Sequence, residues 1–287
     1  MKNTSIIEAA RKKFHSGLLA EALTVDDDGI PTNADKNNKL SCGLAKQLAS
    51  RLGKPVTAKK KECQTLGSIF EEHVAKFLVA TFHSLEHLRP GEWEIGRSHD
   101  KKKRGITAFD QYAHLADLEE LLDQNPKLAA TLGSDYLIKP DVMLFRSPVP
   151  DSVINKNGSV VDGSFAKLAP IRAANQSLSL LHATVSCKWT IRSDRSQNSR
   201  SEALNLIRNR KGKLPHIAVV TAEPLPSRLA SLALGTGDID CVYHFALNEL
   251  LSVVDASEHD DAKELLNVMV SGKRLRDISD LPLDLVV

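Results

Sequence analysis

Hydrophobic positions along this chain follow two periods, and the switch between them predicts its elements. From 5 to 23 the apolar residues Ile6, Ala9, Ala10, Phe14 and Leu18 fall on one stripe of a 3.6-residue repeat, which predicts a helix. Similar stripes predict helices over 40–52 and 66–88, the second ending before Arg89, Pro90 and Gly91, and over 111–132 with a break at Pro126. Asp26 to Asn38 is a polar loop, and Gly91 to Gly105 is a loop or edge strand. Further on, Tyr136 to Phe145 and Leu181 to Ile191 are apolar, β-branched-rich runs that read as strands. Ser147 to Ser177, with Pro148, Pro150, Gly158, Gly163 and Pro170, reads as an irregular insertion between them.

His216 to Thr221 is short and apolar throughout, the pattern of a strand buried on both faces, and Cys241 to Phe245 is another strand. Helices are predicted over 199–210, 224–235, 246–254 and 260–271. The resulting fold class is α/β: a central mixed sheet of about five strands flanked by helices. It is read as a single domain over 1–287, with room for a small N-terminal helical subdomain.

Composition narrows the function classes. A net charge of +2 is too small for a generic polyanion binder. The positive charge is concentrated in Lys59 to Lys61, in Lys101 to Arg104, and from Arg192 to Lys213; the two lysine clusters read as solvated faces. Cys42, Cys63, Cys187 and Cys241 form no C-x-x-C pair, which argues against a disulfide scaffold or zinc site and for a reducing cytoplasm. With no apolar signal core and no run long enough to cross a bilayer, a soluble cytoplasmic protein without a membrane partner is expected. No glycine-rich phosphate loop suggests a nucleotide cofactor, and no G-x-S-x-G elbow suggests a serine hydrolase. His83 to His87 matches the H-x-x-E-H zincin pattern, but it lies at a helix end with no distinctive third ligand and reads as chance.

The candidate chemistry lies on the two longer strands. Alternation puts Ser186 and Lys188 on one face and Cys187 on the other, so Asp141 on the neighbouring strand and Lys188 can converge. Hydrolysis of a phosphodiester needs a positioned water and cations to offset the charge that builds on phosphorus. Carboxylates holding one or two Mg²⁺ ions beside a lysine supply both, and oxygen-only ligands suit Mg²⁺ rather than zinc. Asp141 is the natural bridging ligand, the backbone carbonyl of Cys187 is a further donor, and Lys188 orients or deprotonates the water. The usual nuclease pattern has an acid two residues before the lysine, where this chain has Ser186. Glu202 on the following helix can fill that gap, and Glu71 at the start of the long helix is a further candidate.

Pro140-Asp141, Ser186-x-Lys188 and Glu202 after thirteen intervening residues resemble the PD-(D/E)xK nuclease superfamily in its permuted form, where the second acid has moved to the neighbouring helix. That form is typical of the CCGG-family type II restriction endonucleases, whose lysine strand runs on into Arg-x-Asp-Arg; Arg192, Ser193, Asp194 and Arg195 stand there. The 46 residues between Asp141 and Lys188 are long for the superfamily, an insertion this family tolerates.

Arg-Ser-Asp-Arg also has its own physics. Arginine grips the two major-groove acceptors of guanine, and a carboxylate accepts from cytosine N4. Two arginines and an aspartate thus suit consecutive G·C pairs, and a two-fold dimer doubles them into a CCGG palindrome. The resemblance reaches the family's cutter of GCCGGC. It implies cleavage of double-stranded DNA to 5′ overhangs in a restriction-modification defence, two Mg²⁺ ions per active site, and a homodimer at least, with a homotetramer of back-to-back dimers expected. It also implies that Arg228 and Asp35 read the outer base pair and that Gln64 touches the minor groove. Two rivals fit the residues: a structure-selective junction or repair nuclease, which would not need Arg-Ser-Asp-Arg, and a non-catalytic DNA-binding protein, which would not need Asp141 and Lys188.

Overall fold

The structure is a computed structural model that describes residues 4–57, 63–98, 105–132, 138–191, 193–235 and 237–287. Its helices, in chain order, are α1 (Ile6–Glu21), α2 (Lys39–Leu52), α3 (Cys63–Phe82), α4 (Ala116–Gln124), α5 (Pro126–Leu132), α6 (Asp151–Ile154), α7 (Ser193–Asn209), α8 (Pro226–Ala233), α9 (Leu247–Asp255), α10 (Asp260–Ser271) and α11 (Leu281–Asp284). They flank one six-stranded sheet, ordered as in the chain: β1 (Trp93–Arg97), β2 (Val142–Arg146), β3 (Leu180–Lys188), β4 (His216–Thr221), β5 (Cys241–His244) and β6 (Leu275–Asp277).

The sheet is mixed for a covalent reason. β2 runs antiparallel to both β1 and β3, and β3, β4, β5 and β6 run parallel to one another. Parallel neighbours need a crossover, which α7, α8 and the α9–α10 pair supply. Burial on both faces explains the composition of the middle strands: every residue of β4 from Ile217 to Thr221 is buried, as is all of β5.

Several expected boundaries move by a few residues, the strand expected over Leu181–Ile191 ending at Lys188 among them, and four further differences change the picture. The sheet has six strands rather than about five, and the uncounted one is β6, whose three residues are too few to show an alternation. The long helix remains α-helical only to Phe82, and His83–Leu88 tightens into a 3₁₀ segment. Asp141 stands just before β2 rather than within it. Finally, α7 begins at Ser193 instead of 199, so the Arg-Ser-Asp-Arg run enters a helix.

The N-terminal helix is tied to the far edge of the sheet. Phe14 and Leu18 of α1 join the same hydrophobic cluster as β3 and β4. Arg11 donates two hydrogen bonds to Glu249 on α9 (2.8 and 2.6 Å) and two to Asp277 on β6 (2.9 and 2.8 Å). Bidentate geometry on both acids compensates the desolvation of three charges. Among the described residues no helix is long and apolar enough to cross a membrane.

Buried titratable groups give the fold a pH dependence. Burial pushes His182 and His244 down to about 4, and lowers His15 and His216. The unfolded chain therefore binds more protons than the folded one below the ordinary histidine value of 6.5. Glu223 opposes this, since burial raises its carboxyl to about 7 and the folded chain holds that proton between 4.5 and 7; Glu202 and Asp280 act in the same direction. Two large histidine shifts against one large carboxylate shift leave net destabilisation by acid. The unfolding free energy should fall steadily as pH is lowered from 6.5 toward 4.5, at a slope of about 1.4 kcal/mol per pH unit for each uncompensated proton, and the melting temperature with it. A thermal-unfolding series in which stability rises over that window would contradict this assignment.

Candidate active site

The site lies where β2 and β3 meet. Val142 pairs with Val185 in register, so Asp141 is carried opposite the last residues of β3. There the Asp141 Oδ2 atom accepts the backbone N–H of Cys187 at 2.6 Å and lies 3.4 Å from Lys188 Nζ. Ser186 Oγ stands 3.5 Å from Asp141 Oδ2 and 3.5 Å from Glu202 Oε2, so the serine lies between the two acids. Lys188 Nζ is 4.0 Å from Glu202 Oε2. The strand alternation holds: Ser186 and Lys188 are half-buried, while Cys187 between them is buried. Glu202 arrives from α7, as expected of the displaced acid.

Asp141, Cys187, Lys188 and Glu202 line a cleft of about 450 Å³ shared with Gln64, Gly67 and Glu71 of α3, Trp189, and Asn198 of α7. A larger groove, of about 920 Å³ and bounded by α1, α3 and β1, contains none of the candidates. Burial, with Asp141 and Glu71 nearby, pushes the Cys187 thiol well up, so it is no nucleophile. Burial alone would lower Lys188, but Asp141 and Glu202 outweigh it and its ammonium is held above the usual range. Burial also raises Glu202, with Asp141 adding to it and Lys188 offsetting only part.

Two carboxylates thus face one ammonium across a serine hydroxyl, a surplus of negative charge that suits a cation. The donors are hard oxygens, which fits Mg²⁺ better than zinc. Among the described residues no group of three or more His, Cys, Asp and Glu side chains is arranged to hold a metal. Two carboxylates and a backbone carbonyl, with water completing the shell, is a set Mg²⁺ accepts, because it dehydrates reluctantly. At the H-x-x-E-H match, His83 pairs with Glu86 instead, on the 3₁₀ segment.

The expected base readers divide into four groups. Arg192 lies outside the described residues, as do Lys59 to Lys61 and Lys101 to Arg104. Asp194 and Arg195 occupy the first turn of α7, directly beyond the strand that carries Lys188. Arg228 and Asp35, far apart in sequence, come together: Arg228 Nη2 donates to Asp35 Oδ2. Gln64 is exposed at the start of α3, on the rim of the cleft.

Sequence reading missed Gly67, Trp189 and Asn198 as cleft residues. A helical signal was available, since Gln64, Gly67 and Glu71 share a face, as do Asn198 and Glu202 one turn apart. It also missed Glu223, fully buried behind Arg228, whose Nη1 lies 3.8 Å from Glu223 Oε2. Nothing in its local sequence marks that burial.

Similarity to known proteins agrees with this geometry. The family model for the NgoMIV restriction enzyme matches residues 14–287. The chain is 49% identical over 278 residues to the type II restriction enzyme NgoMIV of Neisseria gonorrhoeae, covering 96% of this chain and 97% of that enzyme. With acids and lysine converging at the end of β3 and the likeness running from α1 to the C-terminus, the chain belongs to the NgoMIV restriction enzyme family and is a type II restriction endonuclease.

Proposed function

We propose that this endonuclease cleaves double-stranded DNA within GCCGGC, using Mg²⁺, to leave 5′ overhangs in a restriction-modification defence. The observation that carries the reading is the convergence of Asp141, Ser186, Lys188 and Glu202 at the end of β3, one short turn before the Arg-Ser-Asp-Arg segment. Chemistry and base reading then share one continuous stretch of chain, acting as one domain over 1–287.

In this reading Asp141, Glu202 and the Cys187 carbonyl hold the Mg²⁺, with two ions per site. When bound, Mg²⁺ supplies Lewis-acid stabilisation of the charge that builds on the phosphoryl oxygens. The remaining work belongs to the chain. Lys188, held protonated against Asp141, orients the attacking water toward the phosphorus by hydrogen bonding. Ser186 keeps the two carboxylates spaced, and Glu71 adds negative potential from α3. Arg192, Asp194 and Arg195 read the inner pairs, Arg228 and Asp35 the outer pair, and Gln64 reaches the minor groove.

Asp141→Ala or Lys188→Ala should reduce cleavage of a GCCGGC plasmid by about a hundred- to a thousandfold, the usual cost of removing an electrostatic stabiliser. Cognate binding should survive, since the base readers lie elsewhere. Fragment mapping on plasmids of known sequence checks both points; scission by either variant at the wild-type rate would refute the site.

The acid between strand and helix permits a sharper check. Glu202→Ala should be nearly inactive, and the double change Ser186→Asp with Glu202→Ala should recover part of the rate, because the two positions lie 3.5 Å apart across the cleft. An active Glu202→Ala enzyme would show that the second acid lies elsewhere.

A palindrome cut on both strands calls for at least a homodimer. The 147–177 insertion favours a homotetramer. Arg172, buried, binds Asp151 and the carbonyls of Asp162, Phe165 and Ala166, so the segment is internally braced. Yet it displays Phe165 at 81% and Leu168 at 94% exposure, apolar groups held out on a firm frame. A plasmid with two sites should therefore be cut faster than one with a single site, and the double change Phe165→Ala with Leu168→Ala should abolish that advantage and sediment as dimers. Equal rates on both plasmids with wild-type protein would remove the tetramer and leave the nuclease.

A further inference from the structure

Glu223 is fully buried in the turn between β4 and α8, yet nothing in the cleavage chemistry uses it. Its carboxylate touches three separate parts of the protein. Oε2 accepts the backbone N–H of Ile191 at 2.8 Å, one residue before Arg192, and Oε1 accepts the backbone N–H of Leu225 at 3.2 Å. Oε2 also lies 3.8 Å from Arg228 Nη1, while the other guanidinium nitrogen of Arg228 holds Asp35.

The surroundings fix this turn from several sides. Lys188 and Thr221 pair in register, and the N–H of Ala222 continues the ladder to the Lys188 carbonyl at 3.3 Å. Thr221 Oγ1 accepts the N–H of Glu223 at 3.2 Å. Buried Asn33, two residues before Asp35, donates to the Ala222 carbonyl at 2.8 Å. His244 on β5 holds the Glu223 carbonyl through Nε2 at 3.2 Å. The loop that carries Asp35, the segment that leads into α7 and the start of α8 therefore meet at this turn.

We infer that Glu223 is a positioning residue that sets the outer-pair reader Arg228 and the start of the inner reading segment in one common frame. The inference rests on the proposed reading of the target, with Arg228 and Asp35 on the outer pair and the segment after Ile191 on the inner pairs. Above about pH 7, where Glu223 is ionised and where the test below is run, a buried anion facing a guanidinium costs desolvation that an apolar side chain would not. What it supplies is direction: two backbone amides fix the carboxylate, and its charge 3.8 Å from Nη1 biases how Arg228, paired with Asp35, is presented to a guanine and a cytosine. Neither reading element can then shift without straining the other.

The test compares discrimination rather than rate. Cleavage is measured on duplexes carrying GCCGGC, the same core with the outer pair exchanged, and the same outer pair with an inner pair exchanged. Wild type, Glu223→Gln, Arg228→Ala and the double variant are compared, with melting temperatures recorded. A merely structural role lowers the active fraction equally on all substrates and leaves the ratios between them unchanged. Glu223→Gln keeps the shape, removes the charge and turns an amide N–H₂ toward a backbone N–H. It should lower both the outer and the inner discrimination ratios by about tenfold, the worth of a buried hydrogen bond to a charged group.

Arg228→Ala should collapse the outer ratio and spare the inner one. The double variant should show no further outer loss, because both changes act on the same contact. Wild-type ratios in Glu223→Gln, at either position, would overturn the positioning role while leaving the target reading in place. Full outer discrimination in Arg228→Ala would overturn the outer reader and this inference with it. A Glu223→Gln chain that cannot fold would also overturn it, since the carboxylate would then serve the fold rather than the readers.

Discussion

The hydrogen bond from the Cys187 N–H to Asp141 Oδ2, at 2.6 Å, is the contact on which the site is built. It fastens a catalytic candidate that belongs to no strand to the end of the strand that carries Lys188. An amide donor to a carboxylate is a strong, directional bond in a half-buried setting. Because it uses backbone, it holds whichever side chain stands at 187. With Asp141 fixed by its own chain on one side and by β3 on the other, its side chain lines the cleft without needing a ligand to place it.

The parallel pairing of β3 with β4 extends that order outward. Lys188 and Thr221 end the two strands in register, so the segments beyond them leave the sheet side by side. One leads through Ile191 into α7, which brings back Glu202; the other leads through Glu223 into α8 and Arg228. Placement at the carboxyl ends of parallel strands thus gathers acids, lysine and the proposed readers without long loops. On the opposite side of the cleft α3 contributes Gln64, Gly67 and Glu71, and its burial against α1 and the sheet keeps that wall in place.

Much of this was legible in the chain. Strands with continuous apolar runs announce themselves, and β4 was found to the residue because both its faces are buried. Alternation placed Ser186 and Lys188 together, and the acid missing at Ser186 pointed to Glu202, which the helix does bring within 3.5 Å of the serine. Other features lacked a local signal. β6 is too short for periodicity, and its pairing is decided by the tertiary contacts of Asp277 with Arg11 and the Leu247 N–H. The early start of α7 was hidden because Ser193, Asp194 and Ser196 are poor helix formers that favour caps and turns. Glu223 carried no local mark, since burial beside a residue 32 positions earlier is a property of the sheet register, not of its neighbours in sequence.

The central claim is that one stretch of chain both cuts and reads, so specificity and chemistry share a frame. The most direct measurement is to give the protein and Mg²⁺ a duplex library randomised across the central base pairs, and to sequence the ends produced. The account predicts 5′-extended ends that converge on a two-fold symmetric site made of G·C pairs alone. Ends scattered over the library, or clustered at branched or mispaired structures, would contradict it.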